Sequence, residues 1–176
     1  MMKGTLLHEY EIMQNPALGA IAMWAFSQGF LSRQSENMRL LTLWHLVSVL
    51  PLVYQETSRK MILKRREASG LRSILDRDTK NSIAQNEVVF DINSRLRAME
   101  DRTFRSLNIA IACKLISLED GYFTSSLSFK LPKNISIETR DILKAASKLG
   151  FWAGGMSDFE YLTVLGVEPL KWTFQY

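Results

Sequence analysis

The chain has 176 residues, of which 47% are hydrophobic and 23% charged, a composition that excludes a disordered or fibrous protein and fits one sizeable globular unit. A single cysteine, Cys113, rules out an intrachain disulfide and points to a reducing compartment. The net charge of +4 permits nucleic-acid contact without requiring it. The most apolar run, Leu40 to Tyr54, is shorter than the ~20 residues of a membrane span and includes His45, Ser48 and Pro51. It reads as a core helix, not a membrane element. Glu9 and Glu11 break the apolar core that a secretory signal would need, so a cytoplasmic protein is expected.

In chain order, Asn15-Pro16 predicts a helix start, with Asn as N-cap and proline at the first helical position. Leu18, Ile21, Trp24, Ala25 and Gln28 recur at helical spacing, and Gly29 is expected to help end the helix. Ser32 to Asn37 reads as a loop. Leu40, Leu43, Trp44, Val47 and Leu50 predict a second, central helix that Pro51 must kink or stop. Gln55 to Arg66 continues a helical pattern but turns strongly basic, and Ser69-Gly70 reads as a breaker or cap before a short turn through Leu71, Ile74 and Leu75. Asp76 to Gln85 is polar and is the expected linker. A long amphipathic run from Val89 to Ile111 follows, with Glu100-Asp101-Arg102 either on its outer face or splitting it.

Beyond Cys113 the pattern changes. Short β-prone pieces flank Glu119-Asp120-Gly121, and Asp-Gly is a strong hairpin signal. Ser136 to Leu149 predicts a helix closed by Gly150, and Ser157 with Glu160 fits a capping box opening a last helix to Leu165. The expected fold class is mainly α with α+β character: a helical domain with a small β-hairpin, winged-helix-like, the hairpin at Leu115 to Phe129 being the wing. One compact domain over 1–176 is expected, with an N-terminal helical part at 1–80 and a winged-helix-like part at 86–176 as its subdivision.

The residues that carry chemistry do not assemble into a site. His8 and His45 lie far apart, and His45 among apolar neighbours reads as a hydrogen-bonded core residue. Cys113, beside Ile111 and Ala112, reads as a small buried hydrophobe. Gly154-Gly155 lacks the lysine and hydroxyl residue of a phosphate loop. Glu119-Asp120 is a turn and Glu100-Asp101 a solvated helix face. No catalytic residue, metal ligand, cofactor or small-molecule ligand is therefore expected, and the chain is not expected to be an enzyme.

Two features have positive content. Arg59, Lys60, Lys64, Arg65 and Arg66 place five cations within eight positions, with no acid among them. Such a cluster can neutralise phosphates, but Met61, Ile62 and Leu63 interrupt the stripe, so a solvated face or a dock for an acidic partner competes with DNA contact. Phe151 and Trp152, in a glycine-flanked segment, are either a protein-docking anchor or a plug for the core.

Several pieces together resemble the middle component family of three-component ABC-ATPase conflict systems, which includes the small C subunit of Lamassu-type bacterial defence. They are Asn15-Pro16-Ala17-Leu18 with Trp24, Leu50-Pro51-Leu52-Val53, and Ser69-Gly70-Leu71-Arg72. Arg97-Ala98-Met99 with Thr103 and Ser106-Leu107 follow. The series ends with Lys148-Leu149-Gly150-Phe151-Trp152, then Ser157, Glu160 and Leu165-Gly166-Val167. The resemblance implies a non-catalytic subunit beside two partners: a coiled-coil, SMC-like ABC ATPase related to chromosome-maintenance and DNA-repair ATPases, and an effector, often a nuclease. It implies a bridge between the ATPase heads and the effector, and carries no catalytic residue to this chain. The competing reading is a free-standing winged-helix DNA-binding regulator, with a recognition helix around Arg97 to Arg105 that Glu100 and Asp101 dilute.

Overall fold

The computed structural model describes residues 15–33, 39–75, 92–126 and 129–167. His8, the linker at Asp76 to Gln85 and the start of the amphipathic run at Val89 lie outside them, as does most of the loop at Ser32 to Asn37.

Helix α1 spans Pro16–Ser32, and Asn15 Oδ1 accepts from the N–H groups of Ala17 (3.0 Å) and Leu18 (3.4 Å). Two short helices follow, α2 (Leu43–Val47) and α3 (Val49–Val53), divided at Ser48. The division has a covalent cause: the ring of Pro51 clashes with the carbonyl four residues back, which is that of Val47. Helix α4 (Glu56–Lys64) leads into a 3₁₀ turn at Glu67–Ser69 and a single turn of helix, α5 (Arg72–Leu75). Next come α6 (Ile92–Ala98) and α7 (Glu100–Ala112), parted at Met99. The run is thus split beside the charged cluster, whose two acids are also exposed on the outer face. These acids open α7, where they complement the positive end of the helix dipole.

Strands β1 (Ile116–Glu119) and β2 (Tyr122–Ser125) form an antiparallel hairpin in which Glu119 pairs with Tyr122 across the two-residue turn. Asp120 (φ 50°) and Gly121 (φ 84°) both adopt left-handed conformations, as a primed hairpin turn demands. Phe123 N–H donates to the Leu41 carbonyl (2.8 Å), so the chain before α2 adds one bridge to the outer side of β2. Trp24 Nε1 donates to the Ser126 carbonyl (2.9 Å) and Gln28 Nε2 to Ser125 Oγ (2.7 Å), fixing the hairpin to α1. The described residues are therefore mostly helical, with one small hairpin.

Helix α8 (Ile137–Ala153) starts at Ser136, whose Oγ accepts from Thr139 N–H (3.0 Å). The last helix, α9 (Asp158–Leu165), starts at Ser157, whose Oγ accepts from Glu160 N–H (3.2 Å). Half of the expected capping box forms: the Glu160 carboxylate turns away to Arg72 (2.7 Å). Gly166, at φ 68°, ends α9 in the left-handed region that glycine occupies without strain.

Helix α1 is the centre of the molecule. Its most extensive contacts are with α8 and then α7, and it buries residues around most of its circumference, among them Met23, Phe26 and Phe30. Two expectations are corrected here. Gly29 does not end α1, and Gly150 does not close α8; each lies inside its helix, at the crossing of the two. A Cβ on Gly29 would fall closer than 3.0 Å to the Ser147 carbonyl oxygen, and one on Gly150 equally close to that of Phe26. Both are glycine because backbone meets backbone there. A third correction concerns Cys113, which is exposed. It caps the end of α7 where Lys114 (φ 58°) reverses the chain into β1, and this corner stands out of the core.

Candidate functional site

The basic segment divides once folded. Arg59 turns inward, donating to the carbonyls of Val53 (3.0 Å) and Tyr54 (3.3 Å) and lying 3.6 Å from Glu138 of α8. Lys60 pairs with Glu56 one turn back, an arrangement that depresses the Glu56 carboxyl pKa through the Lys60 hydrogen bond and charge. Helix α4 ends at Lys64, and Arg65 continues in extended conformation (φ −80°, ψ 152°), so Lys64 and Arg66 stand exposed at a helix end and not along a helix face. Of the five candidate cations, two are thus engaged by acids within the chain. What brings the segment against the rest of the molecule is Lys148, which the sequence offered only as part of a resemblance and not as a site residue. Lys148 of α8 donates to the carbonyls of Leu63 (3.0 Å) and Arg65 (2.7 Å), so α8 lies directly beside the basic turn. The signal was present as Arg140, Lys144 and Lys148 at steps of four.

Phe151 and Trp152 also part company. Trp152 is only 4% exposed, and its Nε1 donates to the Glu67 carbonyl (2.7 Å), so its ring fills the space between α8 and the 3₁₀ turn. Phe151 is half-buried, with the Arg33 guanidinium 4.9 Å from its ring centroid. Both line a concavity of about 550 Å³ bordered by Gly70, Arg72 and Glu160. A second concavity, of about 390 Å³, lies between α3, α6 and α8 and is lined by Pro51, Tyr54, Met99 and Ile142. Arg95 crosses it, donating to the Pro51 carbonyl (3.0 Å) and to the Gln55 side chain. It therefore serves as a strut between α3 and α6.

His45 is a core residue, as its neighbours implied. Its Nδ1 accepts from Thr42 N–H (3.2 Å), its ring meets Phe30 edge-on (4.9 Å between centroids), and the ring of Tyr161 of α9 lies tilted against it at 5.0 Å. Burial pushes the imidazole down to about 4, a shift that Asp158, 3.8 Å away, opposes. Tyr161 is fully buried, which raises its phenol, and its hydroxyl lies 2.7 Å from Ser48 Oγ. A buried histidine kept neutral and packed against two aromatic rings serves the core. Among the described residues no group of three His, Cys, Asp or Glu is placed to hold a metal ion, and no helix is long and apolar enough to cross a membrane.

The comparison with protein families decides what kind of chain this is. The model of the ABC-three component (ABC-3C) system Middle Component 3 matches residues 4–169, nearly the whole length. The chain belongs to the Middle Component 3 family. No curated protein and no solved structure matches it. This middle component is accordingly a part of a multi-subunit ABC-ATPase system. Most pieces that carried the resemblance turn out to be parts of its framework. Asn15-Pro16 opens α1, Leu50 to Val53 is buried, Gly150 sits in the α1–α8 crossing, and Ser157 and Gly166 delimit α9.

Proposed function

We propose that this middle component is a non-catalytic subunit that bridges the heads of a coiled-coil, SMC-like ABC ATPase to an effector subunit, a nuclease, in a bacterial antiviral defence system of the Lamassu kind. Family membership across residues 4–169 carries the reading. The chemistry of the described residues agrees with it: His45 and Tyr161 are consumed by packing, and Arg59, Lys60, Arg72 and Arg105 by ion pairs. Exposed Phe159 (82%) on α9 and the concavity beside Phe151 supply apolar surface for partners. Lys64, Arg65 and Arg66 supply charge, for DNA or for an acidic patch on the ATPase.

The rival reading, a free-standing winged-helix regulator, finds less support. Its recognition helix around Arg97 to Arg105 is broken at Met99, and the outward residues of α7 include Glu100, Asp101 and Arg105, with Arg105 paired to Asp101 (3.0 Å). A helix that opens with two acids, one of which pairs with one of its two arginines, is poorly suited to read a groove.

The purified chain is expected neither to hydrolyse ATP nor to cut DNA. An ATPase or nuclease activity that follows the chain through several columns and disappears on a point substitution in it would overturn the non-catalytic reading.

A further inference from the structure

We propose that the outer face of α8 and the end of α4 form one docking surface for the phosphate backbone of duplex DNA. The proposal rests on the DNA contact drawn above for Lys64 to Arg66 and extends it to residues that no sequence run connects.

Arg140, Lys144 and Lys148 stand four residues apart in α8, hence on one side of that helix. Lys148 binds the carbonyls of Leu63 and Arg65, which fixes this stripe beside Lys64, Arg65 and Arg66. Arg140, Lys144, Lys64 and Arg66 are exposed and form no ion pair with any described residue. That sets them apart from Arg59, Lys60, Arg72 and Arg105, each of which meets a carboxylate. Of the acids on α8 and beside the basic turn, Glu138 meets Arg59, which leaves Asp141 and Glu67 against the four cations Arg140, Lys144, Lys64 and Arg66.

Geometry and composition favour a nucleic acid over a protein surface. From Arg140 to Lys148 the helix rises about 12 Å, at 1.5 Å per residue. That matches the axial length of roughly three to four nucleotides of one strand. The exposed positions between them carry charge and not apolar bulk; Ile137 and Phe151 lie at the two ends of the stripe. Protein interfaces have apolar or aromatic centres and are depleted in lysine. A lysine- and arginine-rich strip with its hydrophobes at the margins suits a phosphate row, which rewards charge and offers nothing apolar to bury.

The test uses the full chain and a fluorescent duplex of arbitrary sequence, with affinity measured from 50 to 200 mM salt. Two variants are compared, Arg140→Gln with Lys144→Gln, and Lys64→Gln with Arg66→Gln. All four side chains are exposed, so melting should be unchanged in both and serves as the folding control. Each pair should lower the steepness of log affinity against log salt by about 1.8, and should do so for an unrelated duplex equally. Three results would overturn the proposal. The wild type fails to bind duplex at 50 mM salt; or only the α4 pair has an effect; or either variant loses the ATPase while its DNA binding is unchanged, which would make the strip a protein dock. The first two leave the subunit reading standing, because it is decided by complex formation and not by DNA affinity.

Discussion

Gly150→Ala is expected to destabilise the middle component by about 3 kcal/mol. On propensity alone the change should help, since alanine in a helix interior is worth roughly 0.5–1 kcal/mol over glycine. The sign reverses because of what the methyl group meets. At Gly150 it would be driven into the Phe26 carbonyl oxygen, and the next atoms in its way are again backbone, the Phe26 carbonyl carbon and Phe30 N. A flexible side chain could rotate aside; a helix backbone cannot. Helices α1 and α8 would have to separate, loosening Phe26, Phe30 and Leu149, all at 0% exposure. Overpacking of a dense core costs typically about 1–3 kcal/mol and more where backbone must move, so the steric term wins. Gly29→Ala meets the Ser147 carbonyl in the same crossing and should act alike. The double variant should cost less than the two single changes added, because the first already parts the helices. Urea denaturation measures all three. A loss below about 1 kcal/mol for Gly150→Ala would mean that the crossing is not close-packed.

The second large effect is a dependence of stability on pH that originates at His45. The folded imidazole is lowered to about 4 from an ordinary value of 6.5, burial being the main cause and the nearby Asp158 a smaller opposing one. A base whose folded pKa is depressed takes up its proton more readily when unfolded. Its contribution is therefore complete above pH 6.5 and is lost as the pH falls towards 4, where the unfolded chain is protonated and the folded one is not. Across that window the loss should reach about 3 kcal/mol, at 1.36 kcal/mol per pH unit. His45→Gln keeps an acceptor for Thr42 N–H, in the capping-box manner, and does not titrate. Denaturation midpoints measured from pH 7 to pH 4 should fall more steeply for the wild type than for this variant. Parallel profiles would show that His45 is not the group responsible.

What could be read in the sequence was local chemistry. Asn15-Pro16, Asp120-Gly121, Ser136 and Ser157 each act on backbone within four residues, so their meaning does not depend on the rest of the fold. Gly29 and Gly150 were misread because a glycine late in a helical run has two meanings, an end or a close approach, and only the opposing helix tells them apart. Cys113 was misplaced for a related reason. Its apolar neighbours suggested burial, while the turn at Lys114 that lifts it outwards leaves no mark in composition.

The candidate surfaces were legible only in part. The run Arg59 to Arg66 announced positive charge, but Glu138, far along the chain, engages Arg59, and Lys148 supplies the link to α8. Trp152 and Phe151 are adjacent in sequence yet face different surroundings, since neighbours on a helix point about 100° apart. The pieces that carried the resemblance were mostly caps, buried segments and the crossing glycine Gly150, which belong to the framework and not to a site.

The proposed bridging role requires that this chain work inside an ATPase assembly. The direct measurement is co-expression of a tagged chain with the ABC ATPase and effector of its own three-component system, followed by affinity purification and determination of the mass of what is retained. The account predicts one complex holding all three proteins, from which omission of this chain separates the effector from the ATPase. Recovery of the chain alone, with ATPase and effector joined in its absence, would contradict it.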